Sequence, residues 1–405
     1  MSQIVKTFLL SGTTAFIAFS LIQFSDQTFE ASIRGLSIWW EVVFPSLLPF
    51  FITAELLISF GVVKFIGVLF EPIMRPLFNI PGVGSFGWIM GMASGYPTGA
   101  KIASRLREEK QLTQIEAERL VSFTNASSPL FIFAAVSVGF FHDTKLGILL
   151  AACHYISNAF VGICMRFYGK NKEKQDIMRR EVRGRVSIVK AFKDMHETRL
   201  MDNRPLGEIL GDAVLHSVKT LVMVGGFIIL FSVLTKLFFL TGISTFISVF
   251  FQHILQLFSM SPEFGLPLLS GLFEITIGAQ SISGITSDTL LTKAILVSFI
   301  LGFNGLSVQA QVASILAKTD IRFAPYFFAR ILHGMIAAIL TIVLYKPLYL
   351  NKQAFDSDHI AVSQAVHENI WNMVLEKIIT YGPIITIISL GISIIIIAIR
   401  LNAAK

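Results

Sequence analysis

Apolar runs long enough to cross a bilayer alternate with short polar links along nearly the whole chain. Phe8–Phe24 is the first, followed by the polar link Asp26–Gly35. Leu36–Phe60 spans but carries Glu41 and Glu55, with Pro45 and Pro49 between them. Gly61–Pro81 is interrupted by Lys64, Glu71, Pro72, Arg75 and Pro76, and reads as a short hairpin or a poor span. Leu120–Phe141, Lys145–Tyr168, Asp212–Leu240, Gly242–Phe258, Leu290–Leu316, Phe323–Tyr345 and Tyr381–Ile399 read as further spans. Pro262–Ile285 is another interrupted segment. Apolar residues recur every fourth position at Val362, Val366, Ile370, Val374 and Ile378, which predicts an amphipathic interfacial helix over Asn351–Lys377. Val186–Met195 reads as a surface helix. The fold class expected is all-α: a polytopic membrane protein of about ten to twelve spans.

One stretch departs from this rhythm. Glycines fall at Gly87, Gly91, Gly95 and Gly99, with Ala103 continuing the series. A step of four puts them on one helix face, where another backbone can approach closely. Pro97 removes a backbone donor in the middle of that stripe. The pattern predicts a helix that breaks around Gly95-Tyr96-Pro97-Thr98-Gly99 and restarts toward Lys101. At membrane depth a break belongs inside protein or against a polar cavity, because lipid cannot satisfy the freed backbone groups. Transporters hold substrate at such places. A glycine-packed, proline-kinked helix without a ligand is the plainer reading.

Composition agrees with the pattern. Of 405 residues, 54% are hydrophobic and 15% charged, against about 25% charged in soluble domains. Mean hydropathy is +0.70. The net charge of +7 is concentrated: Gly169–Pro205 holds eleven Lys/Arg against six Asp/Glu. Such a loop belongs at a membrane surface, and nucleic acid is not expected as a partner. Cys153 and Cys164 share one apolar segment and imply neither a disulfide framework nor a metal site. The N-terminal run has Lys6 before it and no small-residue cleavage site after it, so an anchor helix is expected.

Two halves look related. Leu120-Val121-Ser122-Phe123 recurs as Leu296-Val297-Ser298-Phe299, an offset of 176. At that offset Ser128 falls on Asn304, His154 on Arg330 and Asn158 on Gly334. Gly99-Ala100-Lys101 resembles Gly278-Ala279-Gln280 with a three-residue slip. The expected organisation is an anchor helix and link (1–35), a first repeat (36–168), a basic loop (169–211), a second repeat (212–346) and a C-terminal linker with its last span (347–405). The positive-inside rule puts Gly169–Pro205 and Lys101–Arg119 in the cytoplasm and Asn351–Lys377 on the other side. The halves would then be inverted repeats, sharing a site near mid-depth.

Polar groups within the apolar segments are the candidate site. The first half contributes Gly95, Tyr96, Pro97, Thr98, Gly99, Lys101, Asn125, Ser127, Ser128 and His154. The second contributes Glu274, Thr276, Gly278, Gln280, Ser281, Asn304 and Arg330. Lys101 either meets an anionic substrate or a carboxylate, or snorkels to the interface. Arg330 lies within an apolar span, where a charge faces a cavity or a partner; the partner would be Glu274 or a carbonyl. Glu55 could pair with Lys64 or couple transport to protons. Asn125, Ser127, Ser128, Asn304, Gln309 and Gln311 suit freed backbone groups as well as a ligand. The chain has no P-loop, His-Glu-x-x-His or Gly-x-Ser-x-Gly motif, so no enzymatic activity, cofactor or metal is expected.

Gly91-Met92-Ala93-Ser94-Gly95-Tyr96-Pro97-Thr98-Gly99-Ala100-Lys101, followed by Thr124-Asn125-Ala126-Ser127-Ser128-Pro129, resembles the YlbJ (stage V sporulation protein V) family of sporulation integral membrane proteins. Both halves are also similar to the "gate" domain of concentrative nucleoside transporters and ferrous iron transporter B. The resemblance implies a protein of the mother cell, in the outer forespore membrane, that supports cortex formation and spore maturation. It implies dipicolinate as the cargo, with calcium as its companion ion, moved toward the forespore. A second copy of the chain or another sporulation membrane protein is the partner class expected besides the bilayer. A non-transporting scaffold and a nucleoside-type transporter are the alternatives.

Overall fold

The computed structural model describes residues 3–169, 188–202 and 204–351. Those residues form helices and connecting turns, with no strand among them. Four helices are long and apolar enough to cross a membrane: Thr144–Met165, Leu206–Leu240, Leu290–Leu316 and Phe323–Leu350. Two bent pairs, Thr7–Gln23 with Ser25–Glu41 and Leu47–Ser59 with Val62–Phe78, bring the number to six. Several apolar segments expected to span are instead folded into half-length helices. The segment 352–405, with most of the expected interfacial helix and the whole Tyr381–Ile399 span, lies outside the described residues.

Each half has the same order of elements. A long helix comes first: Ser25–Ser37 running through a π turn (Ile38–Val43) into Phe44–Ser59, and in the second half Leu206–Leu240. The two long helices pack on each other. A Cβ on Gly35 would lie 2.9 Å from Ile229 Cα, and Trp39 Nε1 donates to the Leu221 carbonyl (2.8 Å) across the glycine surface of Gly225. Next come the lateral helices Val62–Phe78 and Ile243–Leu257. The first turns 84° from the helix before it. The second was expected to span, but its 15 residues reach only about 22 Å against about 30 Å of hydrocarbon. It buries Ser244 and Ser248 and turns Phe246, Phe250 and Leu257 outward.

A hairpin follows in each half. Gly84–Ser94 reverses through Gly95-Tyr96-Pro97 into Thr98–Glu108. Gly265–Phe273 reverses at Glu274 into Ile275–Ser283. The sequence predicted a helix that stops and restarts; the chain doubles back. A Cβ on Gly91 would sit 3.3 Å from Gly99 Cα, and one on Gly278 only 2.1 Å from Gly271 Cα. Residues eight or seven apart touch this way only in antiparallel arms.

A broken helix comes next. Gln114–Thr124 opens at Asn125–Pro129 before Phe131–Phe140, and Leu290–Phe303 opens at Asn304 before Gly305–Leu316. Their N-caps obey the offset read from sequence: Thr113 accepts from Glu116 N (3.2 Å), and Thr289, 176 residues later, accepts from Thr292 N (3.3 Å). Thr144–Met165 and Phe323–Tyr345 close the halves. Direction follows from the rims. Asp320 and Arg322 bond to Arg107 and Glu118, whereas Tyr349 bonds to Asp143. The end of the second broken helix therefore lies beside the start of the first, so the two run in opposite senses.

Candidate functional site

The hairpin tips and helix breaks converge. A Cβ on Gly99 would strike the Thr124 carbonyl at 2.1 Å, and one on Gly91 would strike it at 1.9 Å. Only glycine lets the first hairpin lie against the first break. Gly95, at φ +88°, places the tip against Ser128 N (3.0 Å from a Cβ). Thr98 Oγ1 and Ser94 Oγ bond across the turn at 2.6 Å. The second hairpin meets the second break likewise: a Cβ on Gly305 would contact Ile275 and the Gly271 and Phe273 carbonyls. Glu274 caps the second arm, accepting from Ile277 N at 2.8 Å.

A buried polar network ties the breaks together. Tyr326 OH accepts from Asn125 Nδ2 (2.9 Å) and Asn304 Nδ2 (3.5 Å), one amide from each half. Asn304 Nδ2 also donates to the Asn125 carbonyl (2.8 Å). Arg330, with no exposed surface, donates to the Asn125 carbonyl (3.1 Å), the Ser122 carbonyl, Asn158 Oδ1 (3.4 Å) and His333 Nδ1 (3.0 Å). Of the two partners expected for it, carbonyls are found. The guanidinium of the second half thus satisfies the carbonyls that open where Gln114–Thr124 stops. No carboxylate pairs with it among the described residues.

The histidines have fixed tautomers. Ser127 N donates to His154 Nε2 (2.9 Å), so Nδ1 carries the proton in the neutral ring. His333 Nδ1 accepts from Arg330, so its Nε2 donates to the His154 carbonyl (2.9 Å). The rings lie 4.7 Å apart. Tyr155 OH donates to the Ser127 carbonyl (2.9 Å). Several buried atoms are left without a hydrogen-bond partner: the donors Arg330 Nε and His154 Nδ1, and the acceptors Asn125 Oδ1, Asn304 Oδ1 and Gln309 Oε1. Buried polar groups are rarely left so, and such groups mark a place for a bound molecule or water.

Of the residues proposed from sequence, Gly95, Tyr96, Pro97, Thr98, Gly99, Asn125, Ser127, Ser128, Glu274 and Asn304 lie at the tips and breaks, and His154 and Arg330 reach the first break from the closing helices; Thr276 and Gly278 lie just behind, in the second hairpin. Lys101 stands apart, its Nζ 3.1 Å from Glu55 and 4.5 Å from the Phe51 ring centroid. Gln280 and Ser281 are exposed on the outer arm of the second hairpin. Tyr326 and Tyr155 were missed. A signal for Tyr326 was present: Tyr326, Arg330, His333 and Thr341 lie on one helix face, and all four are buried.

Comparison with known proteins places this geometry. The Gate family, described as nucleoside recognition, matches residues 40–141, from the first long helix through the first hairpin and first broken helix. The sporulation integral membrane protein YlbJ of Bacillus subtilis (strain 168) is 51% identical over 403 residues, which cover 98% of this chain and 97% of that protein. No solved structure matches the chain significantly.

Proposed function

The chain belongs to the YlbJ family of sporulation integral membrane proteins, and on that premise we propose that it carries a small organic anion across the membrane, with dipicolinate as the first candidate. The observation that carries the reading is a fully buried guanidinium, Arg330, unmatched by any carboxylate among the described residues and bonded to the carbonyls of the first helix break. A dianion entering that depth loses hydration worth many kcal/mol unless donors replace it. Arg330 Nε–H and His154 Nδ1–H are buried donors with no acceptor. The unpaired amide oxygens of Asn125, Asn304 and Gln309 are of the type that accepts calcium, here cargo travelling with the anion.

The basic rim is read as cytoplasmic, the membrane as that of the mother cell around the forespore, and the biological output as cortex formation and spore maturation. Inverted halves with a shared mid-depth site suit alternating access. A second reading, nucleoside transport, is favoured by the Gate match and by the free amide oxygens, which suit base N–H groups. Purified protein in proteoliposomes, given labelled dipicolinate with and without calcium, tests the proposal. Saturable uptake that unlabelled nucleosides do not compete supports it. Folded protein that takes up neither substrate would leave the scaffold reading standing.

A further inference from the structure

We propose that the basic rim is held shut by an electrostatic strap, two arginine–carboxylate forks that cross from one half to the other. In the first fork Arg107 donates from Nε and Nη2 to the two oxygens of Asp320, at 2.8 and 2.7 Å. In the second, Arg322 donates from Nε and Nη2 to the two oxygens of Glu118, at 2.8 and 2.9 Å. Glu118 is fully buried and also accepts from Arg322 N (3.1 Å) and Tyr168 OH (2.9 Å). Gln114 Nε2 adds a bond to the Asp320 carbonyl. The short link after the second broken helix is therefore tied to the start of the first.

The opposite rim is joined across the halves in another way. Arg322 is the N-cap of Phe323–Tyr345, and the residue in that place before Thr144–Met165 is Asp143, to which Tyr349 OH donates. Ala294, which takes the place of Glu118 in the second broken helix, is fully buried in the apolar core. The basic rim is thus joined by guanidinium forks and the other rim by a tyrosine–carboxylate bond. Bidentate forks are strong where desolvated and weaken with salt where exposed. Arg107–Asp320 is the exposed fork, and Arg322–Glu118 has one buried member. The strap is a property of the fold and does not depend on which cargo is carried.

The test uses full-length protein with Cys153→Ala, Cys164→Ala and the reporter Ser127→Cys, in sealed vesicles of either orientation. The rate of reaction with an impermeant maleimide is measured from the basic-rim side. Arg107→Gln is expected to raise that rate about fivefold, which is the population change that loss of one surface ion pair allows. Arg107→Asp combined with Asp320→Arg should return it toward the starting value. Arg322→Gln alone strands a buried Glu118, so it is tested together with Glu118→Gln, and a larger rise is expected. Arg204→Gln breaks other ion pairs, to Asp202 and Asp212, and should leave the rate unchanged. An unchanged rate in both strap variants, a swap that fails to restore it, or an equal rise with Arg204→Gln overturns the proposal.

Discussion

Arg330 is the residue on which the centre depends. Its guanidinium holds two carbonyls of the broken helix, an asparagine oxygen and a histidine nitrogen. Arg330→Gln would leave several of these acceptors unpaired in a buried place, at a cost on the order of 3 kcal/mol. A lowered thermal midpoint of the purified variant is the expected result, and an unchanged midpoint would show that the carbonyls find other donors. Arg330→Lys keeps the charge but not the fork; it should fold better than the glutamine variant and still lose at least tenfold in dipicolinate uptake. At the rim, the fork from Arg107 holds the Asp320 carboxyl below its ordinary range. A depressed acid stabilises the folded state above its unfolded value, and that stabilisation is lost as pH falls through the folded value. The fork should therefore be insensitive between about pH 5 and 8 and open only in stronger acid. Reporter accessibility measured across pH in the Asp320→Asn variant and in its parent checks this, since below about pH 4 the parent should change more than the variant, which keeps only the Arg322–Glu118 fork.

At the scale of elements, the hairpins decide what the breaks can do. Gly99→Ala already drives a methyl into the Thr124 carbonyl, so loss of transport and of several degrees of melting temperature is expected from one carbon. Gly226, in the long helix, has open space where a Cβ would go. Gly226→Ala should be neutral or stabilising by about 0.5–1 kcal/mol. Matched melting curves of the two variants make the comparison, and equal behaviour would mean the close approach is not needed. The stripe and Pro97 were legible in sequence because their spacing has one steric meaning. The reversal of the chain was not. A kink and a hairpin use the same glycine and proline, and what selects the hairpin is the distant Thr124 carbonyl that both arms must touch. Ile243–Leu257 was misread as a span for a related reason: an amphipathic helix that buries serines and turns phenylalanine outward is as apolar as a crossing one.

For the whole molecule, the inverted order makes a labelling prediction. Single cysteines at Lys110 and Lys318 should react with an impermeant reagent from one side, and those at His142 and Lys346 from the other. Labelling of Lys318→Cys together with His142→Cys would remove the inversion. The repeat was visible in sequence at an offset of 176, which the caps Thr113 and Thr289 keep; beyond the breaks the register slips by three, so that Asn125 meets Asn304 and His154 meets His333. The partner of Lys101 was not visible, because Glu55 and Lys101 meet only once the long helix and the first hairpin have packed. Threonine caps repeated at Thr113 and Thr289 on oppositely directed helices have a historical consequence. A repeated cap on opposed helices is what duplication of one segment, joined to its own inverted copy, would leave behind, and each rim is then free to diverge.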